Sequence, residues 1–282
     1  MALRSYLHST FDPRRIPGLQ AWYDAADSAS VTLDSGRVSQ WSDKSGNARH
    51  ATNTTSGSTQ PSYTKAARNG LNVLRFAAAS VQRLAVPSST AAFKFLHDGT
   101  PCWWIAVNTY GTVSNPAADY GLFSTATGTS EVGFYVAYGD STFSTNDSFF
   151  ANWFRGTTGN PANTFNSAVN AFAAGYQNIL PPNAVLVQEC ALDLSNATAA
   201  GRLALRVNGS AEIKQNNKTA AVSTANSTYN FTIGAAVGGA SIFYSPLEGD
   251  ICELMFFNQL PTAAARNLIR RYLGSKWGVS VA

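Results

Sequence analysis

An all-β sandwich or barrel is the fold class this sequence predicts, on three observations. Short apolar runs rich in aromatic and β-branched residues recur from residue 19 onward, separated by clusters of Gly, Pro, Asn and Ser. Charged residues make up only 13% of the 282, against roughly 25% in an ordinary globular chain. The polar surface must therefore come from Ser, Thr, Asn, Gln and Gly, which suit strands and turns better than long solvated helices. Helical periodicity stands out in one segment only, near the C-terminus. A single sandwich of roughly 200–250 residues is ordinary. No internal repeat of about 20–50 residues interrupts the pattern.

The elements follow in order. Residues 1–16 read as a short arm, closed by Asp12-Pro13 and Pro17-Gly18, which break regular structure. Tyr6, Phe11, Arg14 and Arg15 make it aromatic and basic, suited to docking. The domain then runs over 17–282. LQAWYDA (19–25) and GRVSQWSD (36–43) are its first strands, and LNVLRFA (71–77) follows the turn dipeptide Asn69-Gly70. CWWIAVNTY (102–110), EVGFYVAY (131–138), SFFANWF (148–154) and AVLVQECAL (184–192) are further strands. RLALRVNGSAEIKQ (202–215) is a hairpin, because two alternating runs flank Asn208-Gly209. NFTIGAA (230–236) and GDICELMFFN (249–258) close the series. Thr262 is placed to cap the helix AAARNLIRRYLGSKWG, with Leu268, Ile269, Tyr272 and Leu273 on one face and the arginines on the other. Gly274 or Gly278 can end it. The stretch 139–183 is long and rich in Asn, Thr, Gly and Ser, as functional loops often are.

Several function classes are disfavoured at this level. A formal charge of +4 is mild. Nucleic-acid proteins gather basic residues on one face, whereas here they scatter. The densest group, Arg266, Arg270, Arg271 and Lys276, reads as a solvated helix face. The first residues lack the roughly 7–15-residue apolar stretch of a signal peptide. No run approaches the ~18 apolar residues of a membrane helix. The expectation is synthesis in a cytoplasm, with neither nucleic acid nor membrane as partner. Cys102, Cys190 and Cys252 lie far apart, each inside an apolar run, and read as free buried thiols.

Two blocks of sequence carry a resemblance. IPGLQAWYDAADSASV (16–31), VSQWSDKSGNARHAT (38–52), the pair Pro61 and Tyr63, and NGLNVLRF (69–76) resemble the opening of the laminin-G-like, concanavalin A-like jelly-roll modules. RLALRVNG, NFTIGA and GDICELMFFNQLPTAAARNLIRRYLGSKWG resemble their last strands and closing helix. The resemblance covers most of 16–278 and implies a concanavalin A-like jelly-roll sandwich with a C-terminal amphipathic helix. Such modules are common in bacteriophage structural proteins and in secreted bacterial proteins. Within this frame WSDKSGN (41–47) reads as a turn. Trp41 enters the core, Ser42 and Asp43 accept from nearby backbone N–H groups, Gly46 supplies a positive φ and Asn47 tolerates one.

Candidate sites are few. A sugar needs an aromatic face for its C–H surface and amide, carboxylate or guanidinium groups for its hydroxyls. Tyr110, Tyr120, Trp153, Tyr176 and Tyr244 are placed in loops, with Asn152 and Arg155 beside Trp153. Trp153, Asn152, Arg155, Tyr176 and Tyr120 are the candidate glycan residues. Related modules often hold calcium through loop oxygens, and Asp140, Asn146 and Asp147 are candidate calcium ligands, though short of an EF-hand pattern. No other cofactor is expected. Two-carboxylate glycan chemistry needs a pair roughly 5–9.5 Å apart. Glu189 and Asp193 are the nearest match, and read as edge or turn carboxylates. By the two-residue period, Glu253 shares a strand face with Ile251, Met255 and Phe257, so it needs a partner such as Arg75 or a C-terminal basic residue. His8, His50 and His97 fall in the arm and in loops, without triad or zinc spacing. In Trp103-Trp104, one ring must face outward or into an interface.

The reading that follows is a non-enzymatic bacteriophage virion surface protein, either a capsid decoration or head fibre or a tail-associated adhesin. It docks on other virion proteins through the arm, binds host or environmental glycans, and forms a homo-oligomer. A free carbohydrate-binding lectin is the alternative, and a glycan hydrolase or lyase a third. Trp41→Ala, as a core truncation, is expected to cost about 3–5 kcal/mol. An unchanged thermal midpoint would contradict the core placement.

Overall fold

The computed structural model describes residues 11–111, 120–126, 131–138, 150–155, 164–169, 183–193, 195–198, 201–210, 213–214, 223–237 and 243–281. In chain order its strands are β1 (Leu19–Asp24), β2 (Val31–Asp34), β3 (Arg37–Trp41), β4 (Ala51–Thr52), β5 (Ser62–Arg68), β6 (Leu71–Phe76), β7 (Leu84–Ala85), β8 (Cys102–Asn108), β9 (Tyr120–Ser124) and β10 (Gly133–Tyr138). There follow β11 (Phe150–Arg155), β12 (Thr164–Val169), β13 (Leu186–Leu192), β14 (Leu203–Val207), β15 (Ile213–Lys214), β16 (Thr232–Ile233), β17 (Ala236–Val237), β18 (Phe243–Tyr244) and β19 (Gly249–Phe257), then the helix α1 (Ala263–Trp277).

The strands pair antiparallel in two layers. In the first, β19 has β8 on one side and both β1 and β6 on the other, and the layer continues through β13, β14 and β15. The second runs β2–β3–β4–β7–β16–β9–β10–β11–β12. One register pair, Arg37 with Ser62, joins the layers into a curled sheet. This is the expected all-β sandwich with a C-terminal helix.

Alternation along β8 and β19 places two cores. Trp104, Ala106, Leu254 and Phe256 face the second layer, where the Phe123 ring lies 5.2 Å from Trp104 and 4.9 Å from Phe256, edge-on to both. Trp103, Ile105, Val107, Met255 and Phe257 face α1 and meet Ile269, Tyr272, Leu273 and Trp277. Strands covered on both faces read as continuous apolar runs, which is why CWWIAV and LMFF show no polar alternation. Neither ring of Trp103-Trp104 reaches the surface: the helix covers the one expected outside.

Local signals behave as their chemistry dictates. Asn69-Gly70 (φ 47° and 75°) and Asn208-Gly209 (φ 50° and 71°) form tight left-handed turns between β5 and β6 and after β14. The Thr262 side chain accepts from Ala265 N, and Gly278, at φ 74°, ends α1. Gly274 is interior to the helix and serves packing instead, since a Cβ there would lie 2.7 Å from Val279 O and Val281 Cγ2. Asp43 is the hub of its turn. Its Oδ1 accepts from Trp22 N and Ser45 N, its Oδ2 from Ser45 Oγ and Arg49 N. The second left-handed residue after Gly46 is Ala48 (φ 55°) and not Asn47, whose amide donates to the Leu19 and Gln20 carbonyls and so staples the turn to β1.

Two expectations are corrected, and the described part of the arm is placed. The helix arginines do not all face solvent: Arg270 is 4% exposed and Lys276 8%. A register shift between Ile251 and Glu253 inserts a bulge in β19. Ile251 and Leu254 therefore face the second layer while Cys252 and Met255 face the helix, and Glu253 turns to the helix side, away from Ile251. The arm is not free over its described part. The Phe11 ring lies 4.9 Å from Tyr272, Ile16 packs on the helix-side core, and Arg14 pairs with Asp12 at 2.9 Å. Arg15 is exposed, and Tyr6 lies outside the described residues.

Candidate functional site

Apart from the turn acceptor Asp43, the buried carboxylates among the described residues form three groups. Glu253, wholly buried, accepts from Trp22 Nε1 (2.8 Å), Tyr272 OH (3.3 Å), Lys276 Nζ (2.7 Å) and Trp277 Nε1 (2.9 Å). Lys276 also donates to Asp24 (2.6 Å), which Lys44 reaches from outside (2.9 Å). Burial alone would lower the Lys276 pKa, but Glu253 and Asp24 reverse this and hold the amine well above the ordinary lysine range. Glu189 lies under Arg270 (2.9 Å) and opposite Arg206 (3.2 Å). Burial pushes its carboxyl up, and the Arg270 contact opposes the shift. Asp250 takes Arg75 (2.7 Å) and Arg68 (2.8 Å).

These groups are fasteners. Each carboxylate is sealed from solvent and committed to cations, so none of them can meet a glycosidic bond. Glu253 has the C-terminal basic partner expected of it, Lys276, while Arg75 serves Asp250. Glu189 is not an edge carboxylate but sits in a central strand. Asp193 lies in the turn beyond, accepting from Ser195 Oγ, so the two do not converge. A signal for the Glu189 contact was present in the sequence: Glu189 and Arg206 are the charged residues of two otherwise apolar runs. The three cysteines are free and buried as expected. Burial pushes their thiols up, away from nucleophilic behaviour. His50 Nδ1 accepts from Asp43 N, and His97 lies in a turn as expected but is only 1% exposed.

The second layer offers a different surface. Register runs Ser124 opposite Tyr135, Tyr135 opposite Trp153, and Trp153 opposite Asn166, so these four positions form one row across β9 to β12. Directly opposed residues share a sheet face, and Phe123, Phe134 and Val136 occupy the other face, in the core. Arg155 falls in the next row on Trp153's face, opposite Gly133 and Thr164. Asn152 falls opposite Val136 and Ser167. Tyr135 is 7% exposed and packs on Ala236 of β17. Gly121 lets the β17–β18 hairpin lie against β9: a Cβ there would sit 3.0 Å from Ala235 C, Ala236 N and Ser245 O. Neither this hairpin nor Gly121 was anticipated from sequence. Tyr120 and Tyr110 are core residues, 6% and 4% exposed, with no ring face free for a sugar. Tyr176 and the calcium candidates Asp140, Asn146 and Asp147 lie outside the described residues. Among the described residues no cluster of His, Cys, Asp or Glu could hold a metal ion.

No family model matches this chain, and no curated protein matches it. Solved structures do. Domain 4 of AbnA, a GH43 extracellular arabinanase from Geobacillus stearothermophilus, in complex with arabinotriose, matches with a TM-score of 0.54 at 13% identity, over 90% of this chain and 99% of that one. A GH54 α-L-arabinofuranosidase soaked with a cyclic sulfate inhibitor matches with a TM-score of 0.53 at 14% identity, over 86% of this chain and 51% of that one. At these identities the likeness shows the fold alone, a β-sandwich spanning almost the whole chain.

Lys276→Met would leave Asp24 and Glu253 facing each other without their shared cation. A loss of about 3–5 kcal/mol is expected, with a distinctive pH dependence. Burial already holds the Glu253 carboxyl above the ordinary range, and loss of the opposing Lys276 raises it further, so part of the lost stability returns as pH falls from 7 toward 5. Denaturant melts at both pH values check this, and a deficit independent of pH would contradict the ion-pair account.

Proposed function

We propose that this chain is a glycan-binding module without catalytic chemistry of its own, presented on the surface of a larger particle. The observation that carries the binding part is the register that sets Trp153 of β11 opposite Asn166 of β12, with Arg155 two residues on; Ser124 and Tyr135, further along the row, are buried under the β17–β18 hairpin. An aromatic residue flanked by amide and guanidinium residues is what a sugar ring needs, apolar contact for its C–H face and hydrogen bonds for its hydroxyls. The commitment of the buried carboxylates to Lys276, Arg270, Arg68 and Arg75 supports a binding role over hydrolysis. So does the whole-length likeness to a separate arabinanase domain in complex with arabinotriose. Arabino-oligosaccharides are accordingly the first ligands to try.

The intact chain is expected to bind at least one member of a panel of neutral and acidic oligosaccharides by calorimetry, without releasing reducing ends. Trp153→Ala is expected to weaken that binding about tenfold or more, the equivalent of about 1.4 kcal/mol. An undiminished affinity in the variant would remove the row from the site, and silence across the panel would sink the glycan reading.

Particle attachment, in this reading to a phage head or tail, is a separate part of the proposal. Residues 11–16 are committed to the domain, so attachment is assigned to 1–10. Deleting 1–10 should abolish incorporation into particles while leaving the melting temperature and any sugar binding intact. Particles that retain the shortened chain would contradict it.

A further inference from the structure

One histidine lies in the interior at a junction between segments. His97 follows the short helical turn Lys94–Leu96, which packs on β10, and is 1% exposed. Its Nε2 lies 3.0 Å from Ala225 O. A carbonyl only accepts, so Nε2 carries the proton and Nδ1 is a bare lone pair. That Nδ1 is buried and, among the described residues, has no hydrogen-bond partner.

The contact is part of a seam. Ser223 N donates to His97 O, Lys94 Nζ to Thr224 O, and both Ser227 N and Ser227 Oγ to Thr90 O. Segment 223–229 continues to the ends of β9 and β10. There Thr228 N donates to Val132 O, Val132 N to Thr228 Oγ1, and Tyr229 N to Thr125 O. The segment thus bridges 90–97 and the strands that carry Ser124 and Tyr135.

We propose that His97 is an acid-sensitive latch, whose protonation releases segment 223–229 from 90–97 and loosens the ends of β9 and β10. The physical reason is the empty side of the ring. A proton added at Nδ1 makes a buried N–H with no acceptor, in a charged ring with little water, and opening the seam relieves both. Among the described residues the charges acting on the ring are Asp98 and Lys94, on its own segment, and they oppose each other. Residues 223–227 supply hydroxyl, amide and backbone groups only, and β10 supplies the apolar Phe134 and Val136.

Burial holds the His97 pKa below the ordinary histidine range, partly offset by the Ala225 hydrogen bond. The open state, with the ring in water, takes up its proton near pH ~6.5. The closed state takes it up only lower. As pH falls between these values the closed form loses up to about tenfold in relative population per pH unit. Above them the latch is fully shut. The inference does not depend on any ligand.

Amide hydrogen exchange on the full chain, corrected for intrinsic rates, reads the latch directly. Ser223, Ser227, Thr228 and Tyr229 are expected to lose about tenfold in protection between pH 7 and pH 5. His97→Gln keeps an N–H for Ala225 and cannot titrate, so its protection should be flat over that range. Equal loss in both chains, or none in the unaltered one, would overturn the proposal. Ring NMR of His97 in the unaltered chain provides a reading that needs no variant. The ring must titrate below the ordinary histidine range in step with the loss of protection, and titration with the seam still protected would overturn the latch.

Discussion

The helix side of this sandwich depends on the burial of Glu253. An apolar strand carries a carboxylate into the interior, and a bulge turns it toward α1 instead of the space between the layers. Desolvating such a group costs several kcal/mol, and only a full set of donors offsets that cost. Two indoles, a phenol and an ammonium supply the set. Trp22 comes from β1 and the other three from α1, so the requirement of one carboxylate fixes how three elements meet. Lys276 then extends the network to Asp24, and Lys44 brings in the turn that Asp43 organises.

The other buried charges repeat this arrangement at different junctions. Glu189 ties α1 to β13 and β14 through Arg270 and Arg206. Asp250 ties β19 to β5 and β6 through Arg68 and Arg75. A chain with so few charges uses many of them as internal connectors. Buried pairs of this kind add little over well-packed apolar residues, but leaving one partner alone is strongly destabilising. That matters for a helix whose apolar face could slide on an apolar sheet.

This arrangement also directs where function can lie. The helix-backed layer is covered on both faces, by the second layer and by α1. Its carboxylates are occupied and its thiols sealed. The second layer carries none of those buried carboxylates, and beyond the β17–β18 hairpin Trp153 and Asn166 stand opposite each other on β11 and β12. The seam through His97 reaches β10, the strand that pairs with β11, so the proposed binding and conformational control would share one part of the sandwich.

Much of this was legible in the sequence because it is local. Asn-Gly turns, the Thr262 cap, the Gly278 terminus, the Asp43 turn and the free thiols each depend on a few consecutive residues, whose chemistry admits few solutions. The need of Glu253 for a cation could also be read from its place in an apolar run. What sequence did not disclose was which residue answers which. Asp24 and Lys276 stand 252 positions apart, and nothing in the helix marks Arg270 and Lys276 for burial while Arg271 stays exposed. The β19 bulge displaced a face assignment made on strict alternation. The sequence by itself determined the elements, their turns and the demand for buried partners. The tertiary structure decided the pairings, because register and helix placement are set by contacts between distant segments that no local pattern encodes.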